Sequence, residues 1–166
     1  MATFNFLTTW LIEAPIESVW SALVDYPALP SWWKAIRHVR QIEEANPDGT
    51  GGLWEINWKT PLGYSIIFKS TNTRFERPYL LELNAAGELE GTGRWELKST
   101  KEGTLVHYHW DVSTTKAWMN ALAIFIRPLM EWNHNIIMEQ GGDGLANYLG
   151  VNLLKQDNKS SLLPRP

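Results

Sequence analysis

The sequence predicts an α+β domain in which a curved antiparallel sheet of seven strands wraps around one long C-terminal helix, with two short helices after strand 1, in the order β-α-α-β6-α. Three observations carry this. Residues 38–113 are punctuated by Gly, Pro, Asn and Asp roughly every ten residues, with alternation of apolar and polar side chains between, which is the rhythm of an antiparallel meander. After Ser113-Thr114-Thr115 the apolar period changes to 3.6 and persists to about Leu149. The first strand is separated from the meander by helical segments and is therefore free to pair with its last strand. One helix cannot be covered by a flat sheet, so the sheet must curl around it.

Residues Phe4 to Glu13 are rich in aromatic, β-branched and Thr side chains, and Phe4, Phe6, Trp10 and Ile12 share the inward parity of a strand. Pro15 suits a first helical position, and Ile16, Val19, Trp20 and Leu23 follow as one buried stripe. Asp25-Tyr26-Pro27 ends that helix. Leu29 to Ile36 reads as a second short helix or turn with Ser31 as a cap, on which the adjacent Trp32 and Trp33 cannot both point inward.

Six strands follow, divided by turns at Asn46–Gly51, Thr60–Gly63, Glu76–Pro78, Ala86–Gly91 and Lys101–Gly103. The inward parity holds Trp54, Ile56 and Trp58, then Tyr64, Ile66 and Phe68, then Tyr79, Leu81, Leu83 and Ala85, then Trp95 and Leu97, and last Val106, Tyr108, Trp110 and Val112. The other parity is mostly polar, so one face is wet and the other buried. The final helix is predicted to kink or restart at Pro128 and to bury Met130, Asn133/His134, Ile137, Gly141, Leu145 and Tyr148. Residues 1–150 form the expected single domain, and 151–166 an expected disordered tail, polar from Lys155 and ending in Pro166.

Composition excludes several function classes. The net charge of -3, without a Lys/Arg cluster, argues against a nucleic-acid partner. Cysteine is absent, which removes disulfides, Cys-ligated metals and thiol nucleophiles. The N-terminus does not read as a signal peptide and no apolar stretch reaches the ~20 residues of a membrane span, so a cytoplasmic location is expected. No P-loop, Gly-x-Ser-x-Gly or dinucleotide fingerprint occurs. The unusual feature is ten Trp beside five Tyr and five Phe, enough either to fill a thick core or to line a hollow one.

The segments Trp10-Leu11-Ile12-Glu13-Ala14-Pro15-Ile16-Glu17-Ser18-Val19-Trp20, Leu29-Pro30-Ser31-Trp32-Trp33, Gly91-Thr92-Gly93-Arg94-Trp95 and Gly103-Thr104-Leu105-Val106-His107-Tyr108-His109-Trp110 resemble the START-like (SRPBCC) superfamily with its helix-grip fold. That group includes the polyketide cyclase/dehydrase and lipid-transport proteins and the birch-pollen-allergen relatives. The resemblance covers the chain to about Gly150 and implies a deep cavity between the concave sheet face and the last helix, holding a lipid, quinone, polyketide or other bulky apolar molecule. Fold does not fix chemistry, which varies with the cavity lining.

On that basis the candidate cavity residues are Trp54, Trp58, Tyr64, Phe68, Tyr79 and Trp95, with Tyr108, Trp110, Asn133, Ile137 and Gly141. Leu29, Trp32, Trp33 and Pro61 are expected at the cavity mouth, as a gate, a packed lid or a patch for transient membrane contact. His134 and Arg74 are the candidate catalytic residues; a bulge between Ser70 and Thr73 would decide which way Arg74 faces. Gly141, Gly142 and Gly144 either open space for a ligand or let helix and sheet pack closely. His107, His109 and Asp111 have metal-like spacing but lie on the wet face, so no metal and no cofactor are expected. The expected function is binding, and possible ferrying, of a bulky hydrophobic small molecule. The alternatives are a metal-free cyclase or dehydratase acting in the same cavity, with Tyr64 or Tyr108 assisting, and an interaction module using Trp32 and Trp33.

Overall fold

The structure, a computed structural model, describes residues 3–161. Its elements are β1 (Thr3–Ile12), α1 (Ile16–Val24), a 3-10 turn (Tyr26–Ala28), α2 (Leu29–Trp32), β2 (Ile36–Glu43), β3 (Leu53–Lys59), β4 (Ser65–Glu76), β5 (Leu80–Gly87), β6 (Leu89–Ser99), β7 (Thr104–Thr114), α3 (Ala117–Ala121), α4 (Ala123–Leu149) and β8 (Leu153–Ser161). All strands join one antiparallel sheet in the order β2-β3-β4-β5-β6-β7-β1-β8. β1 pairs with β7 from Thr3↔Ser113 to Ile12↔Thr104, so the separated first strand meets the last strand of the meander as its sequence position suggests. The concave face carries Trp10, Trp95 and Trp110 against α1, α2 and α4, and this aromatic layer is the core.

The sheet has eight strands rather than seven. Leu153–Ser161, expected to belong to a disordered tail, pairs along β1, and residues 162–166 of that tail lie outside the described residues. Gly150 turns the chain back at the end of α4 with φ 68°, a left-handed cap that glycine adopts without strain. β8 is anchored where Thr8 Oγ1 donates to Asn158 Oδ1 at 2.7 Å and where Leu153 packs near Trp10 and Gly142. An edge strand can be polar on both faces, and so its sequence shows no alternation.

The final helix also departs from expectation. It breaks at Leu122, between α3 and α4, and Pro128 sits inside α4. The second short helix is a single turn, and Ser31 does not cap it: its hydroxyl donates back to the Ala28 carbonyl. Because α2 ends at Trp32 and Trp33 is extended (φ -102°, ψ 97°), helical spacing does not separate the two indoles, and both are buried.

Candidate functional site

The inward aromatic side chains interlock. Trp33 lies at their centre, with ring centroids 5.9 Å from Trp10, 6.4 Å from Trp58 and 6.2 Å from Trp95. Trp95 stacks on Tyr108 at 3.8 Å, and Trp58 lies 5.7 Å from Trp110. Among the described residues, two small cavities remain between sheet and helices, an inner one of about 40 Å³ and an outer one of about 60 Å³. Ligand sites generally span roughly 300–1,000 Å³, so neither admits a bulky molecule without movement of a wall. Trp58 and Trp110 line both cavities and form the partition between them.

The inner cavity is bounded by Leu29, Trp33, Phe68, Trp95 and Tyr108, with a polar corner where the Tyr26 hydroxyl donates to Asn72 Oδ1 at 2.8 Å. Burial pushes the Tyr26 phenol up, and its hydrogen bond to Asn72 only partly offsets this. Neither residue stood out in the sequence, although Asn72 lies on the inward parity of β4 beside Ser70.

The outer cavity lies between the sheet, α3 and α4, and its walls include Phe6, Tyr64, Met119, Met130, Asn133, His134 and Ile137. None of its walls is an Asp, Glu, Lys or Arg. Asn133 Nδ2 donates to the Tyr64 hydroxyl at 3.1 Å, and that hydroxyl donates to Met130 Sδ at 3.4 Å. Partial burial raises the Tyr64 phenol, against the pull of Asn133. Asn133 Oδ1 and both ring nitrogens of His134 are buried without a hydrogen-bond partner. His134 is 6 % exposed and stacks on Phe6 at 3.8 Å with an interplanar angle of 7°. Burial pushes its imidazole down to about 3, which the Asn135 side chain, near it but outside hydrogen-bonding geometry, opposes only in part, so it is neutral at ordinary pH.

Of the candidate residues, Trp58, Phe68, Trp95, Tyr108 and Trp110 line the inner cavity, and Tyr64, Asn133, His134 and Ile137 the outer one. Trp54 is half-buried against Tyr26 at 5.1 Å and reaches neither. Tyr79 is 60 % exposed: it precedes β5, in the turn after Glu76, so the strand's parity does not extend to it. Arg74 lies outside the cavities, paired with Glu76 at 2.7 Å and Glu82 at 3.8 Å. The bulge between Asn72 and Arg74 moves the inward register from Ser70 and Asn72 to Phe75, which turns Arg74 outward.

Gly141 lines no cavity. A Cβ there would lie 2.6 Å from Trp33 Cε2, and one on Gly144 would lie 1.9 Å from the Trp32 carbonyl oxygen, so these glycines serve close packing rather than an open space. Leu29, Trp32 and Trp33 are buried and form the packed lid among the expected forms of this segment, with neither indole presented to solvent; Pro61 is exposed in the β3–β4 turn, where its neighbour Thr60 lines the outer cavity. His107, His109 and Asp111 face away from both cavities.

Six of the exposed large apolar side chains lie on α3 and the first half of α4 or between them: Trp118, Leu122, Leu129 and Trp132, with Ile124 87 % and Phe125 83 % exposed. The same segment supplies Met119 and Met130 to the outer cavity, so it is the wall between that cavity and solvent. Its signal in the sequence is that 117–130 is apolar nearly all round rather than striped. Among the described residues, no helix is long and apolar enough to cross a membrane.

The profile of a family described as polyketide cyclase / dehydrase and lipid transport matches residues 3–150. No curated protein matches the chain. Among solved structures, the chain is similar to the Zhui aromatase/cyclase from Streptomyces sp. R1128, with a TM-score of 0.71 at 13 % identity over 89 % of this chain and 94 % of that one. It is similar to a START superfamily protein from Mycobacterium smegmatis, with a TM-score of 0.71 at 15 % identity over 89 % and 97 % of the two chains. The di-domain ARO/CYC StfQ from the steffimycin biosynthetic pathway gives 0.64 at 14 % identity, covering 90 % of this chain and 52 % of that one, so the chain spans about half of that protein. At these identities the likeness is one of fold.

Proposed function

Because the chain belongs to the polyketide cyclase/dehydrase and lipid transport family, we propose that it binds a bulky apolar small molecule, of lipid, quinone or polyketide type, between the sheet and α4. The observation that carries this reading is the outer cavity, whose apolar walls enclose the unpartnered polar atoms of Asn133 and His134. An unpaired buried polar group costs on the order of 1–3 kcal/mol, which a ligand's polar end would recover. The cavity's present volume of about 60 Å³ means that a ligand is admitted as α3 and the start of α4 move outward. That wall is a five-residue helix whose continuation exposes Ile124 and Phe125 to solvent, so little packing holds it from outside. Desolvation of the ligand supplies the affinity, at roughly 25 cal/mol per Å² buried.

The chemistry of His134 favours binding over cyclase or dehydratase activity. A base whose conjugate acid lies near 3 takes a proton only weakly at neutral pH, well away from the value that suits general base catalysis. Native mass spectrometry of protein purified from cells, followed by titration of Trp fluorescence with quinones, phospholipids and flavonoids, tests the proposal. The expected result is a co-purified adduct or a saturable fluorescence change. A clean unliganded mass with no response to any of the three classes would overturn it.

A further inference from the structure

The polar groups of the outer cavity select for one kind of ligand, on the reading that this cavity is the binding site. The Tyr64 hydroxyl hydrogen is committed to Met130, and one of the two Asn133 amide N–H groups to the Tyr64 oxygen. What is left is Asn133 Oδ1, an acceptor, and the two nitrogens of His134. A neutral imidazole provides one donor and one acceptor. With the second Asn133 Nδ2 hydrogen, the free inventory is two acceptors and two donors, with no formal charge in the walls.

We infer that the ligand is uncharged and seats a hydroxyl group, phenolic, enolic or alcoholic, beside Asn133 and His134, with an apolar body filling the rest of the cavity. A hydroxyl donates to one of the two acceptors and accepts from the imidazole N–H, so it matches both roles at once. A carboxylate only accepts, leaves Asn133 Oδ1 opposed by a like-signed oxygen, meets no cation, and gives up its hydration for too little in return. An ammonium group only donates and meets no anion. A plain hydrocarbon fits the walls but leaves Asn133 Oδ1 and His134 as unpaired as before.

Three probes of one shape test this: 2-naphthol, naphthalene and 2-naphthoate, each measured by Trp fluorescence titration against the full chain at pH 7. The expected order is 2-naphthol about tenfold tighter than naphthalene, and 2-naphthoate at least about tenfold weaker than 2-naphthol. His134→Phe keeps the stack on Phe6 but leaves only Asn133 for the hydroxyl, and should narrow the affinity ratio of 2-naphthol to naphthalene. Equal binding of naphthol and naphthalene to the unmodified chain would overturn the hydroxyl assignment and leave the binding proposal standing. Naphthoate as tight as naphthol would likewise overturn the assignment. No binding of any probe would overturn the assignment and the cavity's role together.

Discussion

The indole Nε1 of Trp33 donates a hydrogen bond to the main-chain carbonyl of Ile137 at 2.9 Å, joining segments 104 residues apart. The bond is reachable because Gly141, one turn further along α4, leaves the face of the helix open to the indole. Gly141→Ala should therefore destabilise the protein although alanine is the better helix former by ~1 kcal/mol. Overpacking against Trp33 is expected to outweigh that gain, for a net loss of about 1–3 kcal/mol and a Tm lower by several degrees. Thermal unfolding decides it; a raised Tm would show that the indole moves aside freely.

His134 gives the stability a pH dependence. Its folded-state value of about 3 lies below the ordinary 6.5, so between these the unfolded chain binds a proton that the folded chain does not. Stability then rises with pH across that window, by at most about 1.4 kcal/mol per pH unit, and levels off above it. Melting curves from pH 4 to 8 should show His134→Phe gaining on the unmodified protein as pH falls. Parallel profiles for the two would contradict the buried neutral imidazole.

Removing β8 exposes the backbone edge of β1. A chain stopped at Asn152 loses the Thr8–Asn158 hydrogen bond, worth about 1 kcal/mol, and leaves unpaired the row of β1 groups from Asn5 to Ile12. A lower Tm and concentration-dependent light scattering are expected. An unchanged melt with a monodisperse solution would mean that β8 contributes nothing.

Ile124 and Phe125 project into solvent, so Ile124→Ser with Phe125→Ser should alter stability by no more than ~0.5 kcal/mol per site. Urea unfolding measures it. A loss of several kcal/mol would place these side chains against a partner surface, such as a second copy of the chain.

Trp58→Ala removes half of the partition between the two cavities and should cost about 3–5 kcal/mol. In exchange, naphthalene should bind measurably tighter than it does to the unmodified chain. A drop in Tm without that gain would mean that the core collapses into the space.

The order of elements from β1 to β7 is legible because each strand buries one face, and alternation such as Trp54-Ile56-Trp58 or Val106-Tyr108-Trp110 records that. β8 is not, since Lys155, Gln156, Asp157, Asn158 and Lys159 give no apolar face, and its pairing is a property of β1's free edge. Trp58, Phe68, Trp95, Tyr108 and Trp110 lie buried at the parity that places them inward, but parity cannot tell a ring that lines a space from one that fills it. That depends on how far apart the layers stand, here set by Gly141 and Gly144 against Trp33 and Trp32. Tyr79 departs from its strand's parity because β5 starts one residue late, and Arg74, whose facing depends on a bulge, is turned outward by the one between Asn72 and Arg74. His134 and Asn133 were readable as polar residues in a buried stripe, whereas their lack of partners appears only once their neighbours are in place.

Trp58 and Trp110 are the residues that border both cavities, so whether the two spaces stay separate or merge rests on two side chains. Guest size is in this sense separable from architecture. A lineage built on this scaffold can widen or narrow what it accepts one indole at a time, exchanging core stability for capacity while every strand keeps its place.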